Sequence, residues 1–344
     1  MTRIPISGIL KILLKVSLKK NCEGGTKMKQ ESIAHFEDVR MKNKRIIRNL
    51  LRDCAPIGKT ELSQVSGLSF PTVSSALNDL VGSGEALVLD EGSSKGGRPA
   101  AAFTLNPEFQ YAACGYLEQS ILSISIYNGI GHLQEVVVKP IEKTDTVHEL
   151  VTLFEEIKEK YNQLTAIAIG IPGVVWRGTI KHLPKFPELE GKNLKGALEK
   201  ELGVAVFLEN DMNTIVYAER RKWADLAHIF INKEGCIGTG ILINGGVLRG
   251  AHGYAGELEY ICNEKDEVYD MLTQAISALA CILDVPHIAL SGEKVEILDK
   301  KILVSKLGEI MPIERLPAIH IVVGEKQLYL WGLWEMILED WKSK

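Results

Sequence analysis

Between Leu68 and Ser83 the chain reads LSFPTVSSALNDLVGS. Ser69, Thr72, Ser75 and Asn78 recur at helical spacing, and each has a short side chain that donates and accepts hydrogen bonds. Such a row on one helix face suits the donors and acceptors on base-pair edges. Ser69 reads as the helix cap, and Pro71 sits in the first turn, where a missing N–H costs nothing. Further on, SSKGGRPAAAFTLN places Arg98 on a glycine-rich tip. Glycines let the backbone come close to DNA, and arginine suits a narrow, negative groove. Ser69, Pro71, Thr72, Ser75, Asn78 and Arg98 are therefore candidate DNA contacts. The plain alternatives are a helical hairpin and an ordinary surface loop.

These residues need elements to position them. From Glu37 to Cys54, EDVRMKNKRIIRNLLRDC carries Ile46, Ile47, Leu50 and Leu51 at helical spacing, among six basic residues. Pro56 and Gly58 end that helix. Thr60 is expected to cap a short second helix, with Glu61 at its positive end. Gly67 makes the turn, and Val73, Leu77, Leu80 and Val81 form the buried stripe of the third helix. EALVLD and AAFTLN then read as strands flanking EGSSKGGRP. Three helices and a hairpin make a winged helix-turn-helix, whose second motif helix enters the major groove. Arg98 sits on its wing.

The totals are compatible with this. A chain of 344 residues with 46% apolar content can bury real cores. A net charge of −4 argues against coating nucleic acid in bulk, though not against a local contact patch. The six cysteines form no C-x-x-C pair, so no zinc ribbon or redox motif is visible, and a cytoplasmic protein with reduced thiols is expected. The first twenty residues are apolar but broken by Lys11 and Lys15, too short for a membrane span and poor as a signal peptide. Residues 1–30 read as a basic tail. Met28, just after a Glu-Gly-Gly run, is the expected true start. Residues 1–27 carry six basic residues and one acidic, so starting at Met28 would take the charge from −4 to −9.

Residues 31–106 are thus expected to form the DNA-binding domain. From residue 107 strands and helices alternate, an α/β plan. AACGYLEQSILSISIYN reads as a strand pair, and AIAIGIPGVV as a buried strand ending in a Pro-Gly turn. VAVFLENDMNTIVYAERRKW reads as strand, turn and helix. HIFINKEGCIGTGILINGGVLRGAHGYAGELEY reads as strands with glycine-rich turns, and VYDMLTQAISALACILDV as an apolar helix.

Three of these segments, GIPGVV, ENDMN and INGGVLRGAHGYAGELEY, stand in the order of motifs that resemble the ROK family of sugar kinases and sugar-responsive repressors. The resemblance covers most of the chain from about residue 40. It implies that residues 107–344 form an actin-like, hexokinase-like (ribonuclease H-like) domain of two lobes, with the ligand between them. It also implies that Asp211 matches the general base of the kinases. Asn210 and Glu257 match residues that hydrogen-bond sugar hydroxyls. On the residues alone, Asn210 and Asp211 are equally a turn after a strand.

The chain departs from the kinase pattern. GYLEQS stands where the kinases have the Asp-x-Gly-x-Thr turn that cradles phosphate, and EGCIGTG puts Glu234 at the first glycine of the second phosphate loop. The family's zinc site is a histidine followed by a cysteine-rich loop. Tyr260 stands at the histidine position and Cys262 is alone, so no metal and no cofactor are expected. Asp211 is then a vestige rather than a catalyst. The leading expectation is a repressor, dimeric or larger, that binds a double-stranded operator and senses a sugar or sugar phosphate. A regulator that has lost sugar sensing and an active sugar kinase remain as alternatives. A cleft filled by Tyr260 or Met212 would favour the former.

Overall fold

The computed structural model describes residues 37–89, 101–118, 120–141, 145–263 and 265–344. Two compact units adjoin in sequence at Asn106 and Pro107. Arg98 and the N-terminal tail lie outside the described residues.

In the first unit residues 37–54 are helical (α1), followed by β1 (Ile57–Gly58), α2 (Lys59–Ser66), α3 (Phe70–Gly82), β2 (Ala86–Leu89) and β3 (Ala102–Leu105). The strands form an antiparallel sheet in the order β1-β3-β2. Ile47 and Leu51 of α1, Leu62 of α2, and Val73, Ala76, Leu77 and Leu80 of α3 make the core. Ala76 is buried where Val81 was expected, because 73, 76, 77 and 80 share one stripe of a 3.6-residue helix. Gly58, not Thr60, caps α2, so Thr60 falls inside the first turn. Ser69 does cap α3, its Oγ accepting from the Thr72 amide at 3.3 Å. Gly67 ends α2 at φ 69°, where a side chain would be strained.

Three basic residues of α1 form ion pairs across this unit. Arg40 makes a forked pair with Asp79 at 2.8 and 2.6 Å, and Lys44 and Arg48 both bind Glu85.

The second unit holds two five-stranded sheets of matching topology. The first is β10-β7-β4-β5-β6 and the second β13-β12-β11-β14-β15. The first uses β4 (Tyr111–Glu118), β5 (Ile121–Asn128), β6 (Leu133–Pro140), β7 (Leu164–Ile171) and β10 (Ala205–Asn210). The second uses β11 (Leu226–Ile231), β12 (Ile237–Ile243), β13 (Gly246–Val247), β14 (His287–Ser291) and β15 (Ala318–Ile321). In each, an antiparallel meander leads into two parallel strands. A small hairpin, β8 (Val174–Trp176) and β9 (Thr179–His182), follows β7.

Helices α4 (Thr146–Lys160) and α5 (Leu194–Leu202) cover the outer face of the first sheet, and α7 (Val268–Leu283) and α9 (Lys300–Gly308) that of the second. A short α8 (Glu293–Glu296) precedes α9. Between the sheets run α6 (Asp211–Glu219) and the C-terminal α10 (Glu325–Ser343). Small residues on β4 and β7, Ala112, Cys114, Ala166 and Ala168, leave room for Met212 and Ile215 of α6 and for Tyr329, Leu333 and Ile337 of α10.

These two helices touch at Gly332, where a Cβ would collide with the Thr214 carbonyl. Backbone cannot yield as a side-chain tip can, so Gly332→Ala should force the helices apart and cost about 1–3 kcal/mol. Chemical denaturation checks this, and a midpoint equal to the parent's would show that the helices have room to part.

Candidate functional site

Glu209, the penultimate residue of β10, is an acid at the end of an apolar strand and is buried. Its Oε2 accepts from Arg249 Nε and Nη2 at 2.9 and 2.5 Å, and its Oε1 from the Asn210 amide and Asn213 Nδ2 at 3.0 and 3.1 Å. A buried carboxylate requires this full set of partners. They fix the turn that starts α6. Asn210 caps that helix, its Oδ1 accepting from the Asn213 amide at 2.9 Å while its Nδ2 donates to the Gly173 carbonyl at 3.1 Å. Asp211 follows in the first turn, with one carboxylate oxygen accepting from the Met212 amide at 2.8 Å.

Glu257 arrives from the opposite direction. The loop RGAHGYAGE squeezes between β8 and β12: a Cβ on Gly253 would stand 3.0 Å from the Val175 carbonyl, and one on Gly256 2.6 Å from the Thr239 carbonyl. Both glycines have positive φ, so only glycine fits twice over. Burial pushes the Glu257 carboxyl up to about 7, helped by the charges of Glu259 and Asp211 and opposed by His182. Asp211 is pushed up to about 6, again by burial, against the amide hydrogen bonds that favour its ionised form. Asp211, Glu257 and His182 therefore share one field, and the partly exposed Asn210 side chain hydrogen-bonds Asp211 as well as the Gly173 carbonyl. His182 gives no sign in the sequence. It is brought in by the β8–β9 hairpin, whose close approach needs Gly173, since a Cβ there would strike the His182 carbonyl.

Asp211 and Met212, but neither Asn210 nor Glu257, border a cleft of about 570 Å³, walled by β4, α6, the 232–236 turn and α10. Met212 is buried against Gly238 rather than across the opening. Tyr260 does not line this cleft; it is 67% exposed and borders a separate depression beside Cys262. Glu118, Glu234, Glu293 and Glu325 line the cleft with Asp211, against three lysines. One of these, Lys326, pairs with Glu118 at 3.1 Å. Tyr329 lies on the cleft wall against Gly170, buried, and its hydroxyl has no hydrogen-bond partner among the described residues. The sequence reading missed Tyr329, although α10 shows aromatic residues at helical spacing.

In the first unit Ser69, the cap of α3, is exposed, as are Pro71, Ser75 and Asn78 on the helix, and Thr72 is partly so. Cys262 is buried with its Sγ 3.9 Å from the Met271 carbonyl, and no three His, Cys, Asp or Glu side chains among the described residues stand close enough to share a metal. The donors present do not fit the zinc ion that the family resemblance implies. No helix among the described residues is long and apolar enough to cross a membrane.

Residues 130–282 match the family model described as ROK family. The chain is 28% identical over 236 residues to a putative xylose repressor of Caldicellulosiruptor sp., covering 65% of this chain and 59% of that protein. It is 23% identical over 244 residues to the DNA-binding transcriptional dual regulator NagC of Escherichia coli, covering 67% and 60%. The matched stretch thus spans about 60% of these relatives' own length. Among solved structures, a ROK family transcriptional regulator, homolog of the E. coli MLC protein, superposes with a TM-score of 0.58 at 18% identity, over 87% of this chain and 98% of that one. A putative N-acetylmannosamine kinase from Listeria monocytogenes and a putative sugar kinase from Cytophaga hutchinsonii superpose on 67% and 66% of this chain, with TM-scores of 0.56 and 0.58 at 18% and 14% identity.

The raised carboxyls have a consequence for stability. A carboxyl whose folded pKa lies above its unfolded value stabilises fully below the unfolded value, and that stability is lost as pH rises through the folded one. For Asp211 the window runs from 3.8 to about 6, and for Glu257 from 4.5 to about 7. Asp211→Asn should remove about 1–3 kcal/mol of the fall in stability between pH 4 and pH 7. Denaturation curves at the two pH values check it, and an unchanged fall would mean that Asp211 is not enclosed.

Proposed function

We propose that this chain, which carries a ROK family domain over residues 130–282, is a DNA-binding transcriptional repressor of carbohydrate-utilisation genes that responds to a sugar or sugar phosphate. The observation that carries this reading is the row Ser69, Pro71, Thr72, Ser75 and Asn78. It stands at the solvent face of the second helix of a helix pair, in the same chain as the ROK domain. In this reading α1 to α3 with β2 and β3 form a winged helix-turn-helix. Helix α3 enters the major groove. The names of the xylose repressor and of NagC support the assignment.

The second unit senses rather than catalyses. Phosphoryl transfer depends on positioning the phosphate and neutralising its charge. Glu118 and Glu234 line the cleft where the kinase pattern has phosphate loops, and they oppose an incoming polyphosphate. Asp211 and Glu257 receive the sugar hydroxyls. The sugar favours one lobe arrangement, and a symmetric homodimer converts that preference into fit or misfit with two operator half-sites. A second reading has one observation in its favour: the Asn210 side chain is committed to the α6 cap and to Gly173, not to a ligand. In that reading the unit is a dimerisation scaffold.

Binding of the protein to its own upstream DNA, with and without a panel of sugars and sugar phosphates, tests both. Specific binding released by one sugar supports the sensor; specific binding that no sugar alters supports the scaffold; no specific binding sinks the repressor. Ser75→Ala and Asn78→Ala should each weaken operator binding by about 1–3 kcal/mol without changing the melting temperature.

A further inference from the structure

A second cavity of about 490 Å³ lies where the β8–β9 hairpin, the start of α5 and β10 meet. It shares no lining residue with the cleft beside Asp211. The hairpin turns through Arg177 and Gly178, at φ 52° and 78°. Two-residue turns of this hand favour Asn or Gly at the first position, and arginine there is uncommon. The turn sets the Arg177 guanidinium over the Trp176 ring, 5.3 Å from its centroid. Arg177 is exposed and faces no carboxylate among the described residues. Lys195, in the first turn of α5, stands 5.8 Å over the ring of Phe207. Arg249 completes the cationic set.

The carboxylates in this cavity are already committed. Glu209 accepts from Arg249 and two amide groups. Glu199 accepts from the Val206 amide at 3.2 Å and stands 3.6 Å from Lys195. That leaves Arg177 uncompensated, with Lys195 only loosely held. A guanidinium stacked on an aromatic ring keeps its hydrogen-bond fork free and suits a phosphate. Trp176 and Phe207 supply apolar walls, so the cavity combines a few placed charges with aromatic lining, as small-molecule sites do.

We propose that this cavity binds a small phosphate-bearing molecule, with Arg177 and Lys195 on the phosphate and Trp176 and Phe207 against the rest. The proposal does not depend on DNA binding or on the sugar site, and its test uses neither.

The test is isothermal titration of the full chain with inorganic phosphate and with phenyl phosphate, neither of them a sugar. Both should bind. Arg177→Asn should weaken both at least about tenfold. Its melting temperature should hold or rise, because Asn accepts a positive φ. Lys195→Gln should weaken both as well. Lys326→Gln, in the other cleft, should leave inorganic phosphate binding as it was. No binding of either probe overturns the proposal. So does affinity that survives Arg177→Asn and falls with Lys326→Gln, which would place the phosphate between the lobes.

Discussion

The second unit turns on one buried carboxylate. Glu209 sits where β10 ends, and four hydrogen bonds from Arg249, Asn210 and Asn213 neutralise and orient it. Without Arg249 it would be a buried charge short of its partner, a defect that costs about 3–5 kcal/mol when one member of such a pair is removed. With Arg249 in place the backbone at 210–213 has one geometry. Asn210 can cap α6, and Asp211 is held at the helix start beside the cleft. The segment RGAHGYAGE therefore contributes at both ends of its loop: its arginine fixes the turn that bears Asp211, and Gly253 and Gly256 thread the path that delivers Glu257. Two carboxyls from segments distant in sequence come to share a field because one ion pair and two close-packed glycines leave the backbone no alternative.

This explains which parts were legible in the sequence. Segments whose constraint is local could be read directly. The Ser69 cap, the Gly67 turn, the strand pair β4–β5 and the apolar α7 all follow from spacing and turn chemistry. Thr60 was misplaced because Thr and Gly both serve at a cap, and only the backbone decides which residue takes it. The positions of His182 and Tyr329 could not be read. Each reaches its place through a tertiary contact, His182 against Gly173 and Tyr329 against Gly170. In the sequence those glycines are simply parts of a strand end. Glu209 had a signal, an acid closing an apolar strand, but its meaning depends on Arg249 forty residues later.

In the first unit three cations of the basic helix α1, Arg40, Lys44 and Arg48, are paired with Asp79 and Glu85. They link α1 to α3 and to the residue before β2. The exposed face of α3 carries hydroxyls and an amide instead of charge. In the proposed function, then, α3 contributes base discrimination more than affinity. The electrostatic share must come from elsewhere in the unit, and the salt dependence of binding would count the phosphates contacted there.

Arg249 and Glu209 both border the cavity beneath the β8–β9 hairpin, and Glu209 stands two residues before Asp211 of the cleft. A phosphate in that cavity would compete with Glu209 for the same guanidinium. Any loosening of Glu209 reaches Asn210 and Asn213 directly, since both hydrogen-bond to its other oxygen. The cap of α6 and the position of Asp211 would follow. Linkage then requires the converse: a ligand that holds Asp211 in place must change the affinity of the cavity by the same factor. The path is short, with one ion pair and one helix cap between the pockets. Its two ends are anchored on different elements, Arg249 on the loop from the second sheet and Glu209 on the first.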